Sequence, residues 1–304
     1  MLKFFFLLIL INQFLQAQIS EYDIKPTTLQ SSQYMNIKIL DSKELNFDDM
    51  NGIRVTELSA LAYKNNILYA LSDKGYLYTF TIKIENKRIK SLDLKKATKL
   101  KRKNEKVLRK QDRDSEGLVF LDNNLLISFE REPRVALFSI NGIKIKNKKI
   151  HKDLQNIKNY KSKNKALEAV AYNTKQGIIT APEIPLNIEK KAFHRLYTKN
   201  KTYKFKASGN ITALEFIDDD TIMVLERSFN KKNFHIVISI SKVYLRGCKR
   251  KVCKSELLAT LDSFDGWNID NFEGLTKIEK NKYLMISDDN DNFLQKTLVV
   301  LFEI

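Results

Sequence analysis

What this 304-residue chain lacks narrows its class. It has two cysteines and three histidines (His151, His194 and His235), each histidine isolated in sequence, so a cysteine- or histidine-rich zinc site is excluded. No G-x-S-x-G elbow and no P-loop occurs, which leaves nucleophilic catalysis and nucleotide binding without a motif. Proline and glycine together number 13, and no segment carries a long helical period. Acids are the scarce charge, 36 against 53 Lys plus Arg, for a net of +17. That excess points to anionic partners or surfaces, or to lysines that decorate solvated faces. The only long apolar run is Phe4 to Ile11, too short to span a bilayer as a helix.

That run sits behind Lys3 and ahead of Leu15-Gln16-Ala17, the pattern of a secretory signal cleaved after residue 17. The expected mature chain is residues 18–304, one domain with no transmembrane segment, periplasmic or secreted. In such a compartment Cys248 and Cys253, five apart in a basic turn, read as a local disulfide, with two free thiols as the alternative.

What the chain does have is a repeat. Five units open on a key residue followed by a small and an apolar one: Ser59-Ala60-Leu61, Glu116-Gly117-Leu118, Glu168-Ala169-Val170, Thr212-Ala213-Leu214 and Glu273-Gly274-Leu275. A polar turn follows, and 12 or 13 positions after the apolar residue comes an acid: Asp73, Glu130, Glu183, Glu226 and Asp288. Successive units lie 57, 52, 44 and 61 residues apart, the length of a four-stranded propeller blade. Each unit shows three clear strands and a weaker fourth; the last runs out after its third, at Ile304. The strand-like stretch Tyr34 to Leu40 is the available fourth. The expected fold is therefore all-β, a five-bladed propeller of four-stranded antiparallel sheets closed by that N-terminal strand. A sixth blade within residues 83–113 is the alternative. The lysine-rich connectors, 83–110 and 144–165, hold almost no aromatic residue for base stacking, so they read as solvated loops rather than a nucleic-acid site.

The stretches L-S-A-L-A-Y with L-Y-A-L-S-D, D-S-E-G-L-V-F, L-L-I-S-F-E-R, A-L-E-A-V-A-Y, V-L-E-R-S and N-F-E-G-L with L-M-I-S-D-D-N resemble the phytase-like domain family, also labelled "esterase-like activity of phytase". The resemblance spans roughly residues 50 to 304 and implies a secreted or periplasmic β-propeller. The complete acidic and basic set of the alkaline propeller phytases, which use several calcium ions, does not occur here.

Hairpin geometry adds its own expectation. The start of a first strand lies beside the end of the second, so the five key residues and five acids should meet at one mouth of the channel. The candidate metal ligands are Glu116, Glu168, Glu273, Asp73, Glu130, Glu183, Glu226 and Asp288. Carboxylates this close repel unless neutralised, and Ca²⁺, with its six to eight oxygen ligands, suits such a site. Arg113, Arg131, Arg227 and Lys74 neutralise them instead, or bind phosphate. The loop Asp288-Asp289-Asn290-Asp291-Asn292 begins like a calcium loop, but Phe293 and Val299 break the EF-hand pattern at positions six and twelve, and it reads as a polar turn, with a partial calcium site as the alternative. Two functions remain: Ca²⁺-dependent hydrolysis of a small phosphate ester, or non-catalytic binding of a ligand or envelope protein, in either case by a monomer.

Overall fold

The computed structural model describes residues 18–189, 192–249 and 252–304, and the leader read at residues 1–17 lies outside them. The short apolar stretches form 22 strands. Ahead of the first repeat come β1 (Gln18–Glu21), β2 (Gln33–Tyr34) and β3 (Ile37–Asn46). Blade one is β4 (Leu58–Lys64), β5 (Ile67–Ser72), β6 (Tyr76–Glu85) and β7 (Arg88–Lys99). Blade two is β8 (Ser115–Leu121), β9 (Asn124–Phe129), β10 (Arg134–Ser139) and β11 (Lys144–Lys148). Blade three is β12 (Leu167–Asn173), β13 (Gly177–Pro182), β14 (Phe193–Tyr197) and β15 (Thr202–Lys206). Blade four is β16 (Asn210–Phe216), β17 (Thr221–Asn230), β18 (His235–Tyr244) and β19 (Ser255–Asp262). Blade five is β20 (Asn271–Glu279), β21 (Lys282–Asp288) and β22 (Leu298–Glu303), completed by β3.

Each blade is an antiparallel meander, and the inner strands β4, β8, β12, β16 and β20 contact one another in a closed ring. The fold is a five-bladed β-propeller. Residues 83–113 hold no sixth blade: they supply the end of β6, the outer strand β7 and a loop with a short 3-10 turn at Lys110–Asp112. The second lysine connector gives β11 and two 3-10 turns, and its one aromatic, Tyr160, is buried with its hydroxyl donating to the Leu154 carbonyl at 2.9 Å.

Closure follows the expected route with a shifted strand. The pairing runs from Leu298 opposite Glu44 to Glu303 opposite Lys38. Tyr34 belongs instead to β2, because Met35 turns the chain at φ 51° before β3 begins. The polar run Asp41-Ser42-Lys43 disguises β3 in the sequence, yet all three side chains are buried. Their burial is compensated. The Lys43 ammonium reaches Glu21 at 2.5 Å and Asp41 at 3.3 Å, and Asp41 accepts the Ile89 N–H at 2.8 Å.

The small-plus-apolar pair of each repeat has a packing cause. Ala60-Leu61, Gly117-Leu118, Ala169-Val170, Ala213-Leu214 and Leu275 plug the channel, leaving a void of only about 10 Å³. A Cβ on Gly117 would meet the Val170 nitrogen of the neighbouring inner strand at 2.8 Å, and one on Gly274 would meet Ile286 of its own blade at 2.6 Å and the Ala60 backbone of the neighbouring inner strand at 3.1 Å. The mouth above this plug is a dish, not a pore. Replacing Gly117 or Gly274 by alanine should cost roughly 1–3 kcal/mol through overpacking. Chemical denaturation checks this, and a variant as stable as the parent would refute the close approach.

Candidate functional site

Every inner strand starts with a β-bulge. The ladder slips between Leu58 and Ala60, Ser115 and Gly117, Leu167 and Ala169, Ile211 and Ala213, and Phe272 and Gly274. The surplus residue is in turn Ser59, Glu116, Glu168, Thr212 and Glu273. A bulge re-aims a side chain and ends regular pairing. Here it explains why the same repeat position carries the chemistry in each blade. The two uncharged members bind across blades: Ser59 donates to the Ser115 carbonyl at 2.8 Å and Thr212 to the Phe272 carbonyl at 3.0 Å.

Above each bulge, the end of the second strand faces a residue that sequence reasoning passed over. Asp73 lies by Glu57, Glu130 by Asp114 and Glu183 by Ala166, each through a backbone hydrogen bond of 2.9–3.2 Å. Asp288 pairs with Asn271. In blade four the residue at this level is Arg227, opposite Asn210, and not Glu226, which pairs one step lower with Ile211. The reason is a turn of different length. Leu118 faces Ile127, nine residues on, whereas Leu214 faces Val224, ten residues on. An acid 12 residues after Leu214 is therefore one short of the ring. Glu226 is fully buried and caps the Ser208 and Gly209 N–H groups at 2.8 and 3.2 Å. Glu57, Asp114, Asn210 and Asn271 had a signal available: a polar residue two places before the key position in four of the five units.

The carboxyls converge unevenly. Asp114, Glu116 and Glu130 each bring one oxygen within 4.8 Å of the others, and so do Glu130, Glu168 and Glu183. Glu130 belongs to both groups. On the opposite side, Arg227 pairs with Glu273 at 2.6 Å and Glu183 at 3.7 Å. Asn271 adds a bond to Glu273 at 2.8 Å, and Lys165 one to Glu183 at 2.5 Å. Of the remaining candidate cations, Arg131 pairs with Asp114 of the first triad at 2.6 Å, Lys74 pairs with Glu57 and Asp291, and Arg113 packs against Gly75. Among the described residues no hydrogen-bond donor is paired with the side-chain carboxyl of Glu116 or Glu168, although the Ser128 hydroxyl donates to the Glu168 backbone carbonyl.

Charge without compensation moves the pKa values. Burial, then the charges of Glu57 and Asp114, push Asp73 up to about 7, and its Oδ1 has no partner. Burial and Asp114 push Glu130 up to about 8, against the pull of the Ala166 N–H. Burial and the neighbouring glutamates hold Glu116 and Glu168 well above the usual range, and burial with Glu273 does the same to Asp288. Burial alone lifts Glu226 to about 7.

The loop after Asp288 is a clasp. The Asp289 carboxylate accepts from Thr56 at 2.5 Å, the Glu57 N–H at 2.9 Å and Thr297 at 3.0 Å, while Asp291 pairs with Arg54 at 2.5 Å. Its oxygens are spent on joining blade five to the approach to blade one, as a polar turn would spend them. The histidines stay outside the ring: His194 is buried on the Gly209 carbonyl, His235 pairs with Asp262, and His151 caps a 3-10 turn. Cys248 and Cys253 form the expected disulfide. No helix among the described residues is long and apolar enough to cross a membrane.

Residues 53–291 match the family described as "Phytase-like: Esterase-like activity of phytase". No curated protein matches the chain. Among solved structures it is similar to a PQQ-bound aldose sugar dehydrogenase from Streptomyces coelicolor, with TM-score 0.47, 8% identity, and 89% of this chain and 98% of that one covered. It is also similar to a chain of a mitotic checkpoint complex (TM-score 0.41, 10% identity, 86% and 68% covered) and to the Dos1 propeller (TM-score 0.36, 9% identity, 86% and 73% covered).

The raised carboxyls give stability a definite pH dependence. Unfolded carboxyls titrate near 4, while Asp73 and Glu226 titrate at about 7 and Glu130 at about 8. Between these limits the folded chain holds more protons than the unfolded one, so their contribution is complete below about pH 4 and lost as pH rises toward 8. Melting temperature without divalent cations should fall from pH 5 to pH 8, and Glu130→Gln should flatten the slope. A melting temperature that rises over this interval would contradict the assignment.

Proposed function

The chain belongs to the phytase-like family, and from that premise we propose that it is an exported, divalent-cation-dependent hydrolase of phosphate esters acting at the acidic mouth of the propeller. The observation that carries the reading is the pair of carboxylate triads sharing Glu130. Their all-oxygen donors match a hard cation, and Ca²⁺ accepts such a set in flexible geometry. The fit rests on the side-chain carboxyls of Glu116 and Glu168, which have no donor among the described residues, and on the unpartnered Oδ1 of Asp73.

Asp114, Glu116, Glu130, Glu168 and Glu183 would hold the ion, with Glu273, Asp73 and Asp288 completing the rim. When bound, the ion supplies a coordinated water of lowered pKa and screening of the phosphate charge. The protein's own groups do the rest. Arg227 is the phosphate candidate on the ring itself, and its planar donors match phosphoryl oxygens. Arg113, Arg131 and Lys74 stand further out, two of them already paired with acids. Export agrees with the disulfide and with a leader at residues 1–17.

A non-catalytic propeller that binds a ligand or envelope protein is the second reading. It is favoured by the ion pairs of Arg227, Lys165, Arg131 and Lys74, which neutralise part of the rim internally.

Binding of Ca²⁺ to the folded state alone should raise stability by about 2.7 kcal/mol at a hundredfold excess over Kd. The double variant Glu116→Gln/Glu130→Gln keeps shape while removing two charges, and should lose both that rise and calcium-dependent hydrolysis of a phosphate-ester panel. A wild-type protein that gains neither stability nor hydrolysis with calcium would leave the binding reading in its place.

A further inference from the structure

Beside the rim lies a cleft of about 780 Å³ between the β17–β18 hairpin and the loop that follows Asp288. Its floor includes Arg227, Asn271 and Glu273, so it opens directly onto the acidic mouth. Its lip is apolar. Phe229, Phe234 and Leu294 line it at 47%, 76% and 73% exposure, and Phe293, at 93%, is the next residue along the same loop. Single exposed apolar residues need no explanation. Several on two facing segments, in a chain of net charge +17, form the kind of patch that marks a ligand groove.

Both walls are held in place. The β17–β18 ladder is regular to Asn230 opposite His235, with Phe229 facing Ile236. The other loop is tied down by Asp270, which accepts from Gln295 at 2.9 Å and from the Lys296 N–H at 2.8 Å. Those bonds matter for charge as well. Both acids of the cleft are occupied, Asp270 by this anchoring and Glu273 by Arg227 and Asn271. Lys231, also on the wall, has no ion-pair partner among the described residues, and Arg227 keeps donors to spare. The cleft therefore offers the Arg227 guanidinium toward the mouth, and apolar surface with Lys231 toward its lip.

We infer that this cleft selects a phosphate monoester whose alcohol is apolar, an aryl or alkyl group, seated between Phe229, Phe234 and Leu294 with its phosphate turned toward Arg227. This rests on the mouth being the reaction site and adds the substrate class. An all-polar polyphosphate would leave the apolar lip without a partner.

The three lip residues are exposed, so Phe229→Ser/Phe234→Ser/Leu294→Ser should fold as the parent does. Binding of 1-naphthyl phosphate and of inositol hexakisphosphate is to be measured calorimetrically with Ca²⁺ present, on the full chain and on this variant. The expected result is an affinity for naphthyl phosphate about tenfold weaker in the triple variant, the order expected for losing an aromatic contact surface, with hexakisphosphate affinity unchanged. Equal naphthyl phosphate affinity in both proteins, or no binding by the parent, overturns the inference. So does a matching loss for hexakisphosphate. Turnover separates the two ideas. If neither ester is hydrolysed but naphthyl phosphate binding still depends on the lip, the hydrolase reading fails and the cleft stands. If hydrolysis persists with no dependence on the lip, the cleft fails alone.

Discussion

Like charge held at short range is the constraint on which this structure turns. Five-fold repetition places the same two positions of every blade around one axis, and most of those positions are acids. Three responses to the repulsion are visible. Ser59 and Thr212 replace the acid and bind a neighbouring blade's carbonyl. Arg227 occupies the blade-four position and neutralises Glu273 and Glu183. Where neither device reaches, around Glu116, Glu130 and Glu168, the carboxyls retain protons to unusually high pH. A proton and a metal ion bound at the triads would compete for the same oxygens.

Keeping that arrangement requires a rigid toroid, because separated blades would relieve the repulsion by spreading. Rigidity comes from the plug of small and apolar residues below the rim and from the closure of β3 on β22. It comes too from the Asp289 clasp between blade five and the approach to blade one. These contacts hold acids at distances that free side chains would avoid, which is how a fold stores electrostatic cost at a functional site.

The distribution of charge bears on access. Lysines and arginines outnumber acids over the whole chain, while the acids of the two triads gather at one mouth. A positive surface draws anions from solution by long-range attraction, whereas the local acidic rim would repel them unless a cation were bound there. Affinity for anions would thus depend on metal in a way that the net charge alone conceals.

The sequence by itself determined the blade count, the ring closure and the disulfide. These depend on local patterns: short apolar stretches, polar turns and a repeated key residue. Even the polar stretch that hid β3 moved the closing strand by only a few residues, since Ile37 and Ile39 still carried its buried face. Only the tertiary structure decided which acids meet. A count of residues along a hairpin includes its turn, and blade four has the longer turn of blades three and five but its acid at the spacing of blades one and two, which puts Arg227 in the ring and Glu226 out of it. Asp114 and Glu57 join because the bulge below them re-aims the strand, and a bulge leaves no mark in composition. The apolar cleft joins residues some 60 positions apart, Phe229 and Leu294. Contacts between blades are non-local, and no periodicity within one repeat can announce them.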